Sequence, residues 1–264
     1  MINIGNVEKI LGNTVSHSFC LGVIICYSNL IKYKYTITKD YILIKQKRQD
    51  VVFLLNSCFD YNILKRNKPL NIICEKDFIK LSMKTSEIVY DVEDIFKNNL
   101  TKQIRRGISI NKRIDIRDIK TEKENLDVNY LFRKWKKFKE NDKNTFQITF
   151  SPIRYIRAHY LSKLGLNIYK KIIYIKGSPY GAIVFYIKGK VAYELSFFSV
   201  FFEKKLKIIN DLNECIIINI FYDLYKNYDI KYINVGSARP SKGLRTFKHK
   251  IKYKNSIIYS YKLN

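Results

Sequence analysis

The sequence predicts an α+β fold on three observations. Two short stretches alternate apolar and polar residues around a turn, Lys34–Thr38 and Tyr41–Lys45 flanking Lys39-Asp40. Three strands at hairpin spacing follow later, Lys170–Lys176, Tyr180–Lys188 and Val191–Phe198, with Gly177-Ser178 and Gly189-Lys190 between them. Helical spacing is clearest in Leu212, Ile216, Ile220 and Leu224, which recur every fourth residue.

Taken in order, the first hundred residues alternate between strand and helix signals. Gln49–Asn56 is an apolar run, Asn71–Cys74 a short strand, and Glu75–Leu81 a short helix. Ile88–Val92 reads as a strand, and a helical stretch runs from Glu93 to about Lys112. Ile114–Ile119 alternates like a strand. A helix follows over Asp127–Glu140, with Val128, Leu131, Phe132, Trp135 and Phe138 on one face, more consistent with core than with a base-stacking platform. Ser151-Pro152 opens another helix, which Gly165 stops. Beyond the three hairpin strands, Asp211-Leu-Asn-Glu214 has the spacing of a capping box at a helix start. Lys231–Val235 is a strand ending at Gly236, Lys242–Lys250 a short basic helix, and Ser256–Leu263 a last strand. No Gly/Pro/Ser-rich linker and no internal repeat divides the chain.

The 264 residues are enough to bury a sizeable core, and 47% hydrophobic with 27% charged residues is ordinary for a globular protein. A net charge of +26 is not ordinary. Arg supplies only 11 of the 49 basic residues, and Lys, Ile, Asn and Tyr are all abundant, the usage an AT-rich genome produces. The field still favours a polyanion such as nucleic acid, or an anionic membrane surface, which defines the class of partner and not its identity. The five cysteines form no CxxC pair and only three histidines are present, so no zinc-ligand pattern exists and no metal is expected. An odd number of scattered cysteines fits a reducing compartment. Leu21–Ile31 is too short to span a bilayer, and no signal-peptide pattern precedes it. The expectation is a cytoplasmic protein with no integral membrane segment.

From Ile114 onward the predicted order is β-α-α-β-β-β-α-β-α-β, which resembles the core of the GNAT (N-acetyltransferase) superfamily. Tyr232-Ile-Asn-Val-Gly236-Ser237, then Gly243-Leu244-Arg-Thr-Phe247-Lys248, is similar to the ending of FemAB-like aminoacyltransferases and of the C-terminal domain of bacterial phosphatidylglycerol lysyltransferases. Arg105-Arg106, followed by Lys112-Arg113 before Ile114, resembles the basic helix that precedes the first strand of their catalytic repeat. The stretch ending Ile88-Val-Tyr90-Asp-Val-Glu is similar to their degenerate first repeat. The resemblance implies a tandem GNAT-like fold with a mixed central sheet flanked by helices: a degenerate half over 1–98 and a catalytic half over 99–264, facing one cleft. It also implies an aminoacyl-tRNA or acyl-thioester (acyl-CoA) donor and an amine or hydroxyl acceptor.

The sequence departs from the pattern in one place. Acetyl-CoA-using members carry a glycine-containing loop whose backbone N–H groups hold the pyrophosphate at a helix N-terminus. Here Ser199–Asp211 contains no glycine, and Cβ-bearing residues hinder that close approach. This shifts the weight from acetyl-CoA toward an aminoacyl-tRNA, aminoacyl-adenylate or free amino-acid donor.

Candidate residues follow. By resemblance Lys248 stabilises developing negative charge or contacts a donor phosphate, with Phe247 anchoring it; otherwise it is one more exposed lysine. Glu194 stands within an otherwise apolar strand, where a carboxylate is costly unless paired or in a cleft, so it is a candidate base or ammonium-binding acid; an outward-facing strand residue is the alternative. Tyr193, Ser196 and Asp211 are further candidates for general base or for positioning the acceptor, although Asp211 fits a helix cap better. His159 and His249 lack any local partner pattern. No acid follows Asp229, and Tyr232, Phe247, Tyr253, Tyr259 and Tyr261 interleave with the cations there, as in stacked-base binders, although the last strand fits a half-buried strand with a solvated face better. Arg239, Lys242, Arg245, Lys248 and Lys250 point to phosphate contact. Arg105, Arg106 and Arg113 form a second basic cluster, since guanidinium groups bind phosphate bidentately; a solvated helix face is the alternative. Gly236, Ser237, Ser196 and Phe247 are expected in the substrate cleft. The function expected is an aminoacyl- or acyltransferase with tRNA as donor carrier or DNA/RNA bases as acceptor. The alternatives are a non-catalytic nucleic-acid-binding protein on the same scaffold and a lysyl-phospholipid synthase relative.

Overall fold

The structure is a computed structural model and describes residues 35–38, 40–45, 50–54, 70–74, 83–112, 114–141, 165–199, 209–237 and 254–263. Two compact units are present: Met1–Val89 with Asn234–Pro240 and Lys254–Asn264, and Tyr90–Ile233 with Ser241–Tyr253.

The first unit is built on a mixed sheet. Its strands are β1 (Tyr35–Ile37), β2 (Tyr41–Ile44), β3 (Asp50–Leu54), β4 (Leu70–Cys74), β5 (Met83–Asp91), the end of β10 (Tyr232–Ser237) and β11 (Lys254–Leu263). They lie in the order β1-β2-β3-β4-β11-β5, with β10 beyond β5. The predicted hairpin around Lys39-Asp40 is formed, with Tyr35 opposite Ile44. Thr38 ties its turn: its Oγ1 accepts from the N–H of Asp40 and of Tyr41 at 3.2 and 3.0 Å. β3 and β4 run parallel, and Val52, Phe53 and Leu54 are buried in succession, as a strand covered on both faces requires. β11 pairs antiparallel with both β4 and β5, so the last strand in sequence is internal to the sheet.

The second unit opens with two short helices where one continuous helix is expected. α1 (Val92–Asn98) ends where the Asn99 amide folds back onto Asp94, and α2 (Lys102–Ile108) begins at Thr101, whose hydroxyl accepts from the Ile104 N–H. A side-chain stop followed directly by a side-chain start divides the run. A 3-10 turn (Ser109–Lys112) leads into β6 (Asp115–Asp118).

α3 (Glu122–Asn141) starts a turn earlier than its apolar spacing suggests. Thr121 is its cap: Thr121 Oγ1 accepts from the Glu124 N–H at 3.3 Å, while Glu124 Oε2 accepts from the N–H of Thr121 and of Lys120 at 2.9 and 2.6 Å. The helix predicted from Ser151 to Gly165 lies outside the described residues except at its end, as do those predicted over 75–81 and 242–250.

β7 (Ile168–Ile175), β8 (Ser178–Lys188) and β9 (Val191–Ser199) form the expected antiparallel meander, with turns at Lys176-Gly177 and Gly189-Lys190, and β6 adds on the far side of β7. Every residue from Tyr180 to Ile187 is buried, as befits a strand with helices over both faces. Those helices are α3 and α4 (Ile209–Tyr228). Tyr169 and Tyr174, five apart on β7, leave opposite faces: Tyr169 OH donates to Asp223 of α4 at 2.7 Å, and Tyr174 OH to Asp127 of α3 at 2.8 Å. Because α4 starts at Ile209, Asp211 and Glu214 lie inside its first turns and do not form the expected cap. α4 is buried at every position from Asn213 to Phe221, since α1 and α2 cover the side that the sheet does not.

Candidate active site

The candidate residues of the second unit centre on β9. Val184 pairs with Ser196 and Phe185 with Glu194, so Leu195 is an extra residue inserted into β9. Such a bulge bends the strand and re-aims the side chains beside it, a device common next to active sites. Glu194 is half-buried, whereas Ala192, Tyr193 and Leu195 are buried.

Cross-strand partners share a face. Glu194 therefore lies on the α4 face with Phe185, whose ring packs at 6.4 Å on Phe221 of α4. Tyr193 lies on the α3 face, fully buried, its ring stacked at 6.1 Å on Tyr186. Two neighbouring candidates thus present to different sides of one strand. Ser196 is placed by its backbone on the Tyr193 side.

At the start of α4 a further polar set faces inward. Tyr180 is a bulged residue on β8 whose OH donates to Asn213 Oδ1 at 2.8 Å, and burial pushes its phenol up to about 12. Glu214, only 1% exposed, accepts from the Gln103 amide of α2.

In the first unit the predicted cleft residue Gly236 is set by a buried relay. Asn234 Nδ2 donates to Glu87 Oε2 at 2.8 Å, and Asn234 Oδ1 accepts from the Gly236 N–H at 2.9 Å. Glu87 is 1% exposed and Asn234 is fully buried. Gly236 holds φ at +79°, a region in which a Cβ is strained. Ser237 is the last residue of β10. Sequence reasoning missed Glu87, Asn234, Asn213 and Glu214. The signal available for Asn234 was the one that flags Glu194, a polar residue within an otherwise apolar strand, whereas Glu87 follows Lys84-Thr85-Ser86 and carries no such mark.

Arg105 and Arg106 are exposed on the last turn of α2, where cations complement the helix dipole. Lys248, Phe247, Arg113, Arg239, Lys242, Arg245 and Lys250 lie outside the described residues. Among the described residues no cluster of His, Cys, Asp and Glu suits a metal ion, and no helix is long and apolar enough to cross a membrane.

Two units, a bulged strand within an antiparallel meander, and a last strand returned to the first unit make up a tandem GNAT-like fold. Solved structures share it. A conserved protein of unknown function from Bacteroides thetaiotaomicron VPI-5482 matches at 13% identity with a TM-score of 0.68, over 100% of this chain and 98% of that one. The C-terminal (DUF2156) domain of a putative lysylphosphatidylglycerol synthetase from Agrobacterium fabrum matches at 9% identity and a TM-score of 0.63, over 97% and 90%. A tandem GNAT protein from the clavulanic acid biosynthesis pathway matches at 9% identity and a TM-score of 0.51, over 99% and 96%. No protein-family model matches the chain, and no curated protein matches its sequence.

Proposed function

We propose that the chain is an aminoacyl- or acyltransferase that engages a nucleic acid, as a charged tRNA donor or as the base-bearing acceptor. The observation that carries this reading is the whole-chain likeness of fold to the domain of a putative lysylphosphatidylglycerol synthetase. The charge of +26 supports a polyanionic partner. The glycine-free stretch Ser199–Asp211 supports an aminoacyl donor over acetyl-CoA, with an acyl-CoA donor as the competing case. The division into a degenerate half over 1–98 and a catalytic half over 99–264 belongs to the same proposal.

In the reaction an acceptor amine attacks the donor carbonyl, a C–N bond forms, and the ester or thioester bond to the carrier breaks, the carrier oxygen or sulfur leaving with the proton that the amine loses. Glu194 is assigned to the acceptor, orienting its ammonium and then taking its proton. It suits this role better than Tyr193, whose ring is enclosed. Lys248 is assigned to the oxyanion, with Arg239, Lys242, Arg245, Lys250, Arg105, Arg106 and Arg113 on phosphates.

The test is intact-mass analysis of DNA and RNA oligonucleotides, and of phosphatidylglycerol vesicles, after incubation with the protein and mixed aminoacyl-tRNAs. The expected result is an aminoacyl mass increment on a nucleic acid, or protein-dependent loss of the aminoacyl group from tRNA to an added amine. Glu194→Gln is expected to slow it by about a hundredfold or more. Transfer to phosphatidylglycerol alone would establish the phospholipid reading. Binding of nucleic acid without transfer from any donor would establish the non-catalytic one, which the missing glycines also favour.

A further inference from the structure

We propose that the outward face of α3 is a docking strip for single-stranded nucleic acid, with Tyr130 as the stacking platform and Lys123, Arg133 and Lys134 as phosphate contacts. This rests on the nucleic-acid part of the function proposed above, but places the contact on a helix given no role there.

The chemistry of the helix separates its charges. Of the acids in its first two turns, Glu124 is committed to the Thr121 cap and Asp127 accepts from the Tyr174 hydroxyl. Val128 and Leu131 face the core. On the other side Lys123, Leu126, Tyr130 and Arg133 are exposed, spaced three or four apart, and so line one stripe about 15 Å long. Glu122 is the exposed acid at its N-terminal end, where the helix dipole favours a carboxylate.

The apolar members are notable for their exposure. Four large hydrophobic residues are exposed among the described residues, and two of them, Leu126 at 60% and Tyr130 at 41%, sit one turn apart on this stripe. Single exposed apolar residues need no explanation, whereas an adjacent pair flanked by cations on three positions does. Lys134 Nζ lies over the Tyr130 ring, 4.9 Å from its centre, so a cation already sits on one face of the ring and a base would stack on the other. A base on the ring with its phosphate on the adjoining cation is how sequence-tolerant strand binders hold each nucleotide. Charge complementarity selects the occupant: a basic stripe with an aromatic ring fits a polyanion that also has π-faces.

Fluorescence anisotropy with a short labelled oligouridylate and its DNA counterpart, over a range of KCl, reads the strip directly. Tyr130→Ala is expected to weaken binding about tenfold, while Tyr130→Phe, which keeps the ring, stays near wild type. Arg133→Ala with Lys134→Ala is expected to lower the slope of log affinity on log salt by about 1.4, roughly 0.7 for each single-strand phosphate that no longer meets a cation. Tyr130 and Arg133 are exposed and Lys134 is half-buried, and melting curves equal to wild type confirm intact folding. If wild type binds and the variants bind equally well, the strip is overturned while a nucleic-acid partner stands. If wild type binds neither strand, both fall. If it binds anionic phosphatidylglycerol vesicles in their place and loses them with Tyr130→Ala, the face belongs to a membrane and the proposal is overturned.

Discussion

Tyr180 shows what one buried hydroxyl does here. Its donor bond to Asn213 joins β8 to the first turns of α4, and the residue is 4% exposed. Tyr180→Phe leaves the Asn213 oxygen without that donor and is expected to cost about 1–2 kcal/mol in urea unfolding. The phenol titrates near 12 in the folded chain, above its ordinary value of about 10. A raised acid favours the protonated form in the native state, so its contribution is complete below about pH 10 and is lost as pH climbs through 12. The stability gap between wild type and Tyr180→Phe should therefore be flat from neutral pH to about 10 and narrow above it. Tyr169 and Tyr174, both raised chiefly by burial, add to the alkaline loss in the wild type and the variant alike. At this scale the sequence was partly legible. Glu194 stood out because its immediate neighbours on the strand are apolar. Asn234 carries the same mark but sits beside the strand end at Gly236, Glu87 follows a polar run and does not carry it, and the burial of both depends on partners far away in sequence.

Among the elements, α2 packs closely against α4 at Gly107. A Cβ built on Gly107 would stand 2.5 Å from Ile218 Cγ2 and 2.6 Å from Ile218 Cβ, the stiff part of a branched side chain. Asn219 seals the contact by donating its amide to the carbonyl oxygens of Gly107 and Ile108. Alanine in place of a helical glycine ordinarily gains about 0.5–1 kcal/mol. Here overpacking reverses the sign, and Gly107→Ala is expected to lose about 1–3 kcal/mol. Adding Ile218→Ala should recover part of that loss, because the two sites share one space; a purely additive double mutant in thermal melts would contradict the account. The β7–β9 meander was legible since turn residues punctuate it. α3 was started too late, because the capping pair Thr121 and Glu124 precedes the first apolar contact. The break between α1 and α2 was missed, since Asn99 and Thr101 act through side-chain bonds that apolar spacing does not register.

For the whole molecule, the GNAT-like core could be read from the element order after Ile114 and the tandem arrangement only through resemblance, while the partners of the last strand could not be read at all. Nothing local in Lys254–Leu263 says that it pairs with both β4 and β5. Removing Lys254–Asn264 is expected to expose β1 to β5 to rapid limited proteolysis, and a synthetic peptide of those residues should restore protection. A truncated chain that resists protease as the parent does would refute this. The first unit's sheet therefore joins the earliest strands to the latest. A ribosome delivers β4 and β5 long before the strip that bridges them, so Ile72 and Val89 wait in the nascent chain without their lasting cover. Completion requires closing a very long loop, a slow step, and until then both edges invite pairing with other chains. Yield during synthesis should accordingly depend on chaperones more than the stability of the finished protein would suggest.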